Sequence, residues 1–326
     1  MKTILNISLA LVAAGAIAAA APSGESAKAL APVPAAHSTI ATQAMLLGEA
    51  WAGPRAVAVG EEGVVLLSDD RAATWRQAHG VPVSSTLTSV SFADARMGWA
   101  VGHWGAILAT TDGGENWTLQ HLAVDEDRPL FAVHFFDAKS GVAVGLWSLV
   151  LTTDDGGRTW TKQTLQPPPG ATKADANLLG LFADLHGHLF AAAERGLVLR
   201  SDDRGHTWTY LSTGYKGSFW AGVALADGTL LVGGQRGSVY RSEDEGRTWT
   251  KSELDSQSSI TAFAAAPGGE VRLVGLDGLQ ASSRDGGEHF KAEARADRLA
   301  LTAALATQDG RWLVASRHGI AGDAPR

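Results

Sequence analysis

The feature that most constrains this chain is a short string, Ser/Thr-x-Asp-x-Gly-x-Thr-Trp, repeated in near-constant register. It reads Ser68 to Trp75, Thr110 to Trp117, Thr153 to Trp160, Ser201 to Trp208 and Ser242 to Trp249, with a divergent sixth copy at Ser283 to Phe290. The third-position aspartates are Asp70, Asp112, Asp155, Asp203, Asp244 and Asp285, spaced by 42, 43, 48, 41 and 41 residues. One such match carries little weight. Six in register define a repeat architecture in which each unit buries its apolar face only against its neighbours.

The motif has a mechanical reading. An aspartate at a turn accepts hydrogen bonds from backbone N–H groups ahead of it, and the Ser/Thr hydroxyl ties down the incoming strand. Glycine supplies the positive φ that closes the bend. The aromatic residue, Trp75, Trp117, Trp160, Trp208, Trp249 or Phe290, then leads the next strand and packs between units. Box one has Ala72 at the glycine position and box six has His289-Phe290 for Thr-Trp, so these two turns are expected to be the least regular. Each box offers one or two carboxylates rather than a cage of six to eight oxygens, and no metal is expected there.

Between boxes, Leu87 to Phe92 alternates as a strand, Gly98 to Gly102 is a second short apolar strand, Ala106 to Thr110 enters the box and Trp117 to Gln120 leaves it. Four short strands in some forty residues, with no helical period, form a propeller blade. Six repeats carry boxes, and a seventh begins at Leu299 and ends near Ile320 before a fourth strand. Val33 to Thr42 falls where an outermost strand would. The expected fold is all-β: a seven-bladed β-propeller of four-stranded antiparallel blades, closed by the N-terminal segment completing blade seven. Residues 1–20 read as a secretory signal, with a basic start, an apolar run and small residues at Ala18-Ala19-Ala20. Residues 21–32 read as a disordered linker, 33–322 as the propeller and 323–326 as a tail.

This N-terminus predicts export across the inner membrane, with a periplasmic destination. The chain has no cysteine, so neither a disulfide frame nor thiolate chemistry is available. A net charge of −7 disfavours a nucleic-acid partner.

The phrase Gly98-Trp-Ala-Val-Gly-His-Trp-Gly-Ala-Ile-Leu-Ala-Thr-Thr-Asp-Gly-Gly-Glu-Asn-Trp117 resembles the photosystem II stability/assembly factor family, seven-bladed Asp-box (BNR-type) propellers of thylakoid lumen and bacterial periplasm. The resemblance spans residues 44–322. It implies a non-enzymatic, chaperone-like role in which the propeller binds a membrane-protein or envelope-complex partner, without cofactor and as a monomer.

The rival reading is a carbohydrate-binding or sialidase-like glycoside hydrolase propeller, because sialidases share the Asp-box. Such an enzyme needs clustered acids and a tyrosine at the axis. Of the three tyrosines, Tyr210 falls in an outer strand, Tyr215 in a loop and Tyr240 ahead of a box, and Leu87 to Phe92, Leu130 to Phe135 and Ile260 to Ala265 carry no carboxylate pair. His186-Gly187-His188 could place two imidazoles on one strand face as metal ligands, but reads better as a hairpin turn.

Site candidates come from assigning loops to rims. Box turns join strands three and four, so turns joining strands two and three lie on the opposite rim with the blade-to-blade links. Those second turns align on Gly63, Gly105, Gly196, Gly237, Gly278 and Gly319, with Leu149 in the glycine place in blade three. Their tips include His103-Trp104, Trp147, Arg195, Arg236 and Arg317-His318, while Trp220 starts an inner strand from the same rim. Aromatic residues and arginines are the composition of a protein interface. These eight residues are the expected partner-binding set. The box residues are expected to be structural, as are Trp99, Trp312 and Trp51. The insertion Gln166 to Asp175, with Pro167-Pro168-Pro169, accounts for the longest spacing and lies on this rim, as a stiff docking arm or a linker.

Overall fold

The computed structural model describes residues 32–307 and 310–321. The expected signal, all of the expected linker but Pro32, and the tail at 323–326 lie outside the described residues.

Seven antiparallel sheets follow one another along the chain. Their inner strands are Leu46–Ala52, Leu87–Phe92, Leu130–Phe135, Leu178–Ala183, Phe219–Ala224, Ile260–Ala265 and Leu301–Ala306. Each contacts the next in cyclic order, and the last contacts the first, so the sheets form a closed seven-bladed propeller. All seven share one irregularity: the ladder slips after the first residue of the inner strand. Such a bulge bends the strand and increases its twist.

The second strands explain the core. Gly98–Gly102, Gly141–Gly145, Leu189–Ala193 and Leu230–Gly234 are buried at every position, because they lie inside a sheet that packs on both faces. Continuous apolar runs rather than alternating ones are the result. Glycine serves the packing directly at Gly141, where a Cβ would stand 2.5 Å from the Phe135 ring that covers it.

Hydroxyl groups stitch neighbouring blades at the hub. Thr88 Oγ1 donates to Leu130 O at 2.8 Å, and Thr261 Oγ1 to Leu301 O at 2.8 Å. Across the seam between blade seven and blade one, Thr302 Oγ1 donates to Leu46 O at 2.6 Å. The closing interface therefore repeats the chemistry of the junctions between blades two and three and between blades six and seven.

The N-terminal segment helps close the ring, but not as the expected fourth strand of blade seven. Among the described residues that sheet has three strands, Leu301–Ala306, Trp312–Ser316 and Gly319–Ile320. Residues 32–40 run along the outer edge of blade one, where Ala35 N donates to Val81 O, Gln77 Nε2 to Ala36 O and Ser38 N to Gln77 Oε1. Blade links do the same elsewhere: Glu253–Leu254 pairs in parallel with His289–Ala294 of the blade it leads into. The leading segment thus behaves as the link into blade one. Only its end reaches blade seven, through the Gly319 N to Ala44 O bond and the packing of Ala41 and Ala44 with Ala315 and Ile320.

Candidate partner-binding rim

The Asp-box end is committed to holding the ring together. In box one, Ser68 Oγ donates to Asp70 Oδ1 at 2.8 Å and accepts from Ala72 N at 2.9 Å. Thr74 N and Thr74 Oγ1 both donate to the Asp70 carboxylate. The same set recurs through box six, where His289 Nδ1 meets Asp285 Oδ2 at 2.8 Å in place of a threonine hydroxyl. Box six is therefore as regular as the rest, against expectation. Box one keeps the carboxylate bonds but lacks the aspartate N to Ser/Thr Oγ bond of the other five, and its Trp75 Nε1 is buried without an acceptor. Ala72 accepts φ +66 because the surrounding bonds fix it, and an imidazole reaches the carboxylate as well as a hydroxyl does.

These bonds hold several carboxyls low. Asp70 and Asp244 sit at about 2, chiefly through the Thr74 and Thr248 hydroxyls, and Asp155 at about 2 through the Thr159 backbone amide. Box carbonyls are engaged too. Arg55 reaches Gly113 O at 3.1 Å, Gln120 reaches Gly156 O at 2.9 Å and Arg241 reaches Gly286 O at 2.9 Å, each from the preceding blade. Of the box aromatics, Trp117 and Phe290 are buried, and Trp75, Trp160, Trp208 and Trp249 half-buried. His186 and His188 flank the positive-φ Gly187 in a turn, and His188 is held by Asp184 at 2.7 Å.

The opposite end carries the second turns, each a short 3-10 bend except in blades four and seven. In blade three the glycine place is taken by Ser148, not Leu149. Ser148 has φ +54, and its N and Oγ both donate to Ala176 O, which anchors a non-glycine residue in a left-handed bend. The residue before it is left-handed in six blades: Glu62, Trp104, Trp147, Arg195, Arg236 and Asp277.

At these tips Trp104 is 40% exposed and Trp147 57% exposed. Both turns are pinned from beneath. Ala123 N donates to Trp104 O at 2.7 Å, Trp147 N donates to Asn177 Oδ1 at 3.0 Å, and Arg128 Nη2 donates to Trp147 O at 3.1 Å. His103, Arg195, Arg236, Arg317 and His318 are exposed at the same end, with Arg195 paired to Asp175 of the insertion at 2.8 Å. Trp220 is half-buried. The eight residues share one end of the ring but occupy separate sectors: the exposed tryptophans on blades two and three, Trp220 on blade five, and arginines on four, five and seven.

Two features of the molecule went unflagged by the sequence. An open groove of about 840 Å³ surrounds the blade-five tip, where Lys216 and Lys251 join Arg236 opposite Asp255. The lysines come from a link and an outer strand, so only the fold brings them together. At the hub, Glu49 is the one carboxylate on the seven inner strands. Neither of its oxygens has a hydrogen-bond partner, and burial pushes the carboxyl up to about 8. His134, on the inner strand of blade three, is pushed down to about 4 by burial.

A family model described as photosynthesis system II assembly factor YCF48 matches residues 67–217 and, in a second alignment, 127–271. No curated protein sequence matches the chain. Among solved structures, YCF48 bound to a D1 peptide superposes with a TM-score of 0.69 at 20% identity, covering 88% of this chain and 97% of that one. YCF48 from Cyanidioschyzon merolae gives 0.69 at 17% identity over 88% and 96%. The WD40 β-propeller domain of Doa1 gives 0.65 at 12% identity over 84% and 90%. At these identities the structural likeness carries the fold.

Proposed function

The chain belongs to the photosystem II assembly factor YCF48 family, and from that membership we propose that it is an exported, non-catalytic scaffold that holds a membrane-protein or envelope-complex partner by the rim opposite its Asp-boxes. The observation that carries this reading is the division of labour between the two ends. Asp-box side chains and carbonyls are used up in bonds within and between blades. The other end presents Trp104 and Trp147, large apolar side chains left exposed on rigid turns. An anchor ordered before binding loses little entropy on docking, which favours affinity.

The solved YCF48 that holds a D1 peptide is consistent with a peptide-bearing membrane protein as the partner class. Export to the periplasm rests on the N-terminal sequence. A glycosidase on this ring would need paired carboxylates at the axis, and Glu49 stands alone there.

The test is affinity purification of the tagged mature protein from solubilised membranes, alongside the Trp104→Ala/Trp147→Ala variant. A reproducible membrane-protein partner, captured by the parent and lost from the folded variant, is expected. Undiminished capture by the variant would move the interface elsewhere, and retention on glycans alone would replace the scaffold by a lectin.

A further inference from the structure

We infer that the sector between the blade-two and blade-three tips recognises a positively charged, extended stretch of the partner, with lysine or arginine side chains set against Trp104 and Trp147 over an acidic link. This rests on the scaffold reading and gives it a partner chemistry.

The link from blade two to blade three is bonded to both tryptophan turns. At one end Ala123 N donates to Trp104 O at 2.7 Å; at the other Arg128 Nη2 donates to Leu146 O and Trp147 O, both at 3.1 Å. The stretch between these anchors is Asp125, Glu126 and Asp127, all exposed. Glu126 has Arg128 at 3.6 Å, whereas Asp125 and Asp127 make no ion pair among the described residues. Arg128 is itself mostly covered and turned to the tip carbonyls, so the face offered to a partner is aromatic and anionic.

This combination selects its occupant. An indole face attracts cations through its ring quadrupole, and neighbouring carboxylates reinforce the attraction. A purely apolar partner would have to strip water from the acids without compensation. An anionic partner, including an acidic membrane surface, would meet like charge. Lys216, Arg236 and Lys251 gather instead at the blade-five groove and Arg317 stands on blade seven, while Lys173 lies in the insertion that follows blade three. The rim is therefore polarised, and a basic segment seated at blades two and three fixes which way round the partner docks.

The experiment uses the full mature chain and two fluorescein-labelled eight-residue peptides, one with four lysines and one with four glutamates, followed by anisotropy at low salt. The lysine peptide should bind, and added salt should weaken it. Two weak cation–π contacts together are worth about tenfold in affinity. Trp104→Ala/Trp147→Ala and Asp125→Asn/Glu126→Gln/Asp127→Asn should each lower its affinity by about tenfold or more, while Lys216→Ala/Lys251→Ala leaves it unchanged. Should the alanine pair fail to fold, Trp104→Gly/Trp147→Gly, which suits the positive φ at both sites, replaces it. Absent lysine-peptide binding would overturn the inference while leaving the membrane capture assay, and with it the scaffold, intact. So would tryptophan-dependent binding of the glutamate peptide or of anionic phospholipid vesicles.

Discussion

Trp99 of blade two lies flat on Phe135 of blade three, with ring centroids 3.4 Å apart and planes 4° from parallel. Phe135 in turn covers Gly141 of its own blade and meets Trp160 edge-on at 5.9 Å. One inter-blade contact thus unites a second-strand tryptophan, an inner-strand phenylalanine and a box tryptophan. Trp99 is 1% exposed, and truncating a large buried aromatic costs about 3–5 kcal/mol. Trp99→Ala is expected to cost that much in denaturant unfolding. Gly141→Ala, which drives a methyl into the Phe135 ring, should cost about 1–3 kcal/mol by overpacking. A Trp99→Ala protein as stable as the parent would mean that the blades two and three do not depend on this stack.

The Asp-boxes set the acid limit. Asp70, Asp155 and Asp244 are held at about 2 in the folded chain against an ordinary 3.8. Carboxyls depressed by folding stabilise the native state above their unfolded pKa, and that stabilisation is lost as pH falls through the folded value. Stability should therefore drop between about pH 4 and pH 2. Asp244→Asn should flatten that limb, measured as the melting temperature across the window. An unchanged acid limb in the variant would show that the box carboxylate is not a source of the dependence.

Glu49 acts in the opposite direction. Its folded value of about 8 stands above the ordinary 4.5, so between those values the unfolded chain is the one that releases the proton. Stability then falls as pH rises from about 4.5 to about 8 and levels off beyond. Glu49→Gln removes the titration and should melt higher than the parent at pH 8, with little difference at pH 4.5. A parent protein whose melting temperature is flat from pH 5 to pH 8 would contradict the isolation of this carboxyl.

The rim tryptophans should be dispensable for folding. Trp104 and Trp147 hold φ of +59° and +52°, a region costly to residues with a Cβ by about 1 kcal/mol or more. Trp104→Gly and Trp147→Gly relieve that cost while loosening the unfolded chain, two effects of similar size. Each variant should melt within a few degrees of the parent. A loss on the scale expected for Trp99→Ala would place these side chains in the core.

The local sequence determined what depends on near neighbours. The box bonds all close within four residues, strand alternation has a period of two, and the second turns keep fixed distances from the boxes; blade count and the assignment of Trp104, Trp147 and Arg236 to one rim follow from these. The tertiary structure decided whatever depends on a partner far along the chain. Residues 32–40 are extended enough to suit the edge of either blade one or blade seven, and Gln77 and Val81 won the hydrogen bonds. Ala72 reads as a defect in isolation, yet the bonds around it hold the bend. Glu49 looks like any strand acid until the ring closes over it and leaves both oxygens without a partner. The exposure of the two rim tryptophans, and the link that joins their turns through Ala123 and Arg128, likewise exist only once blades two and three stand side by side. Packing and desolvation are sums over the whole ring, and no window of the sequence contains them.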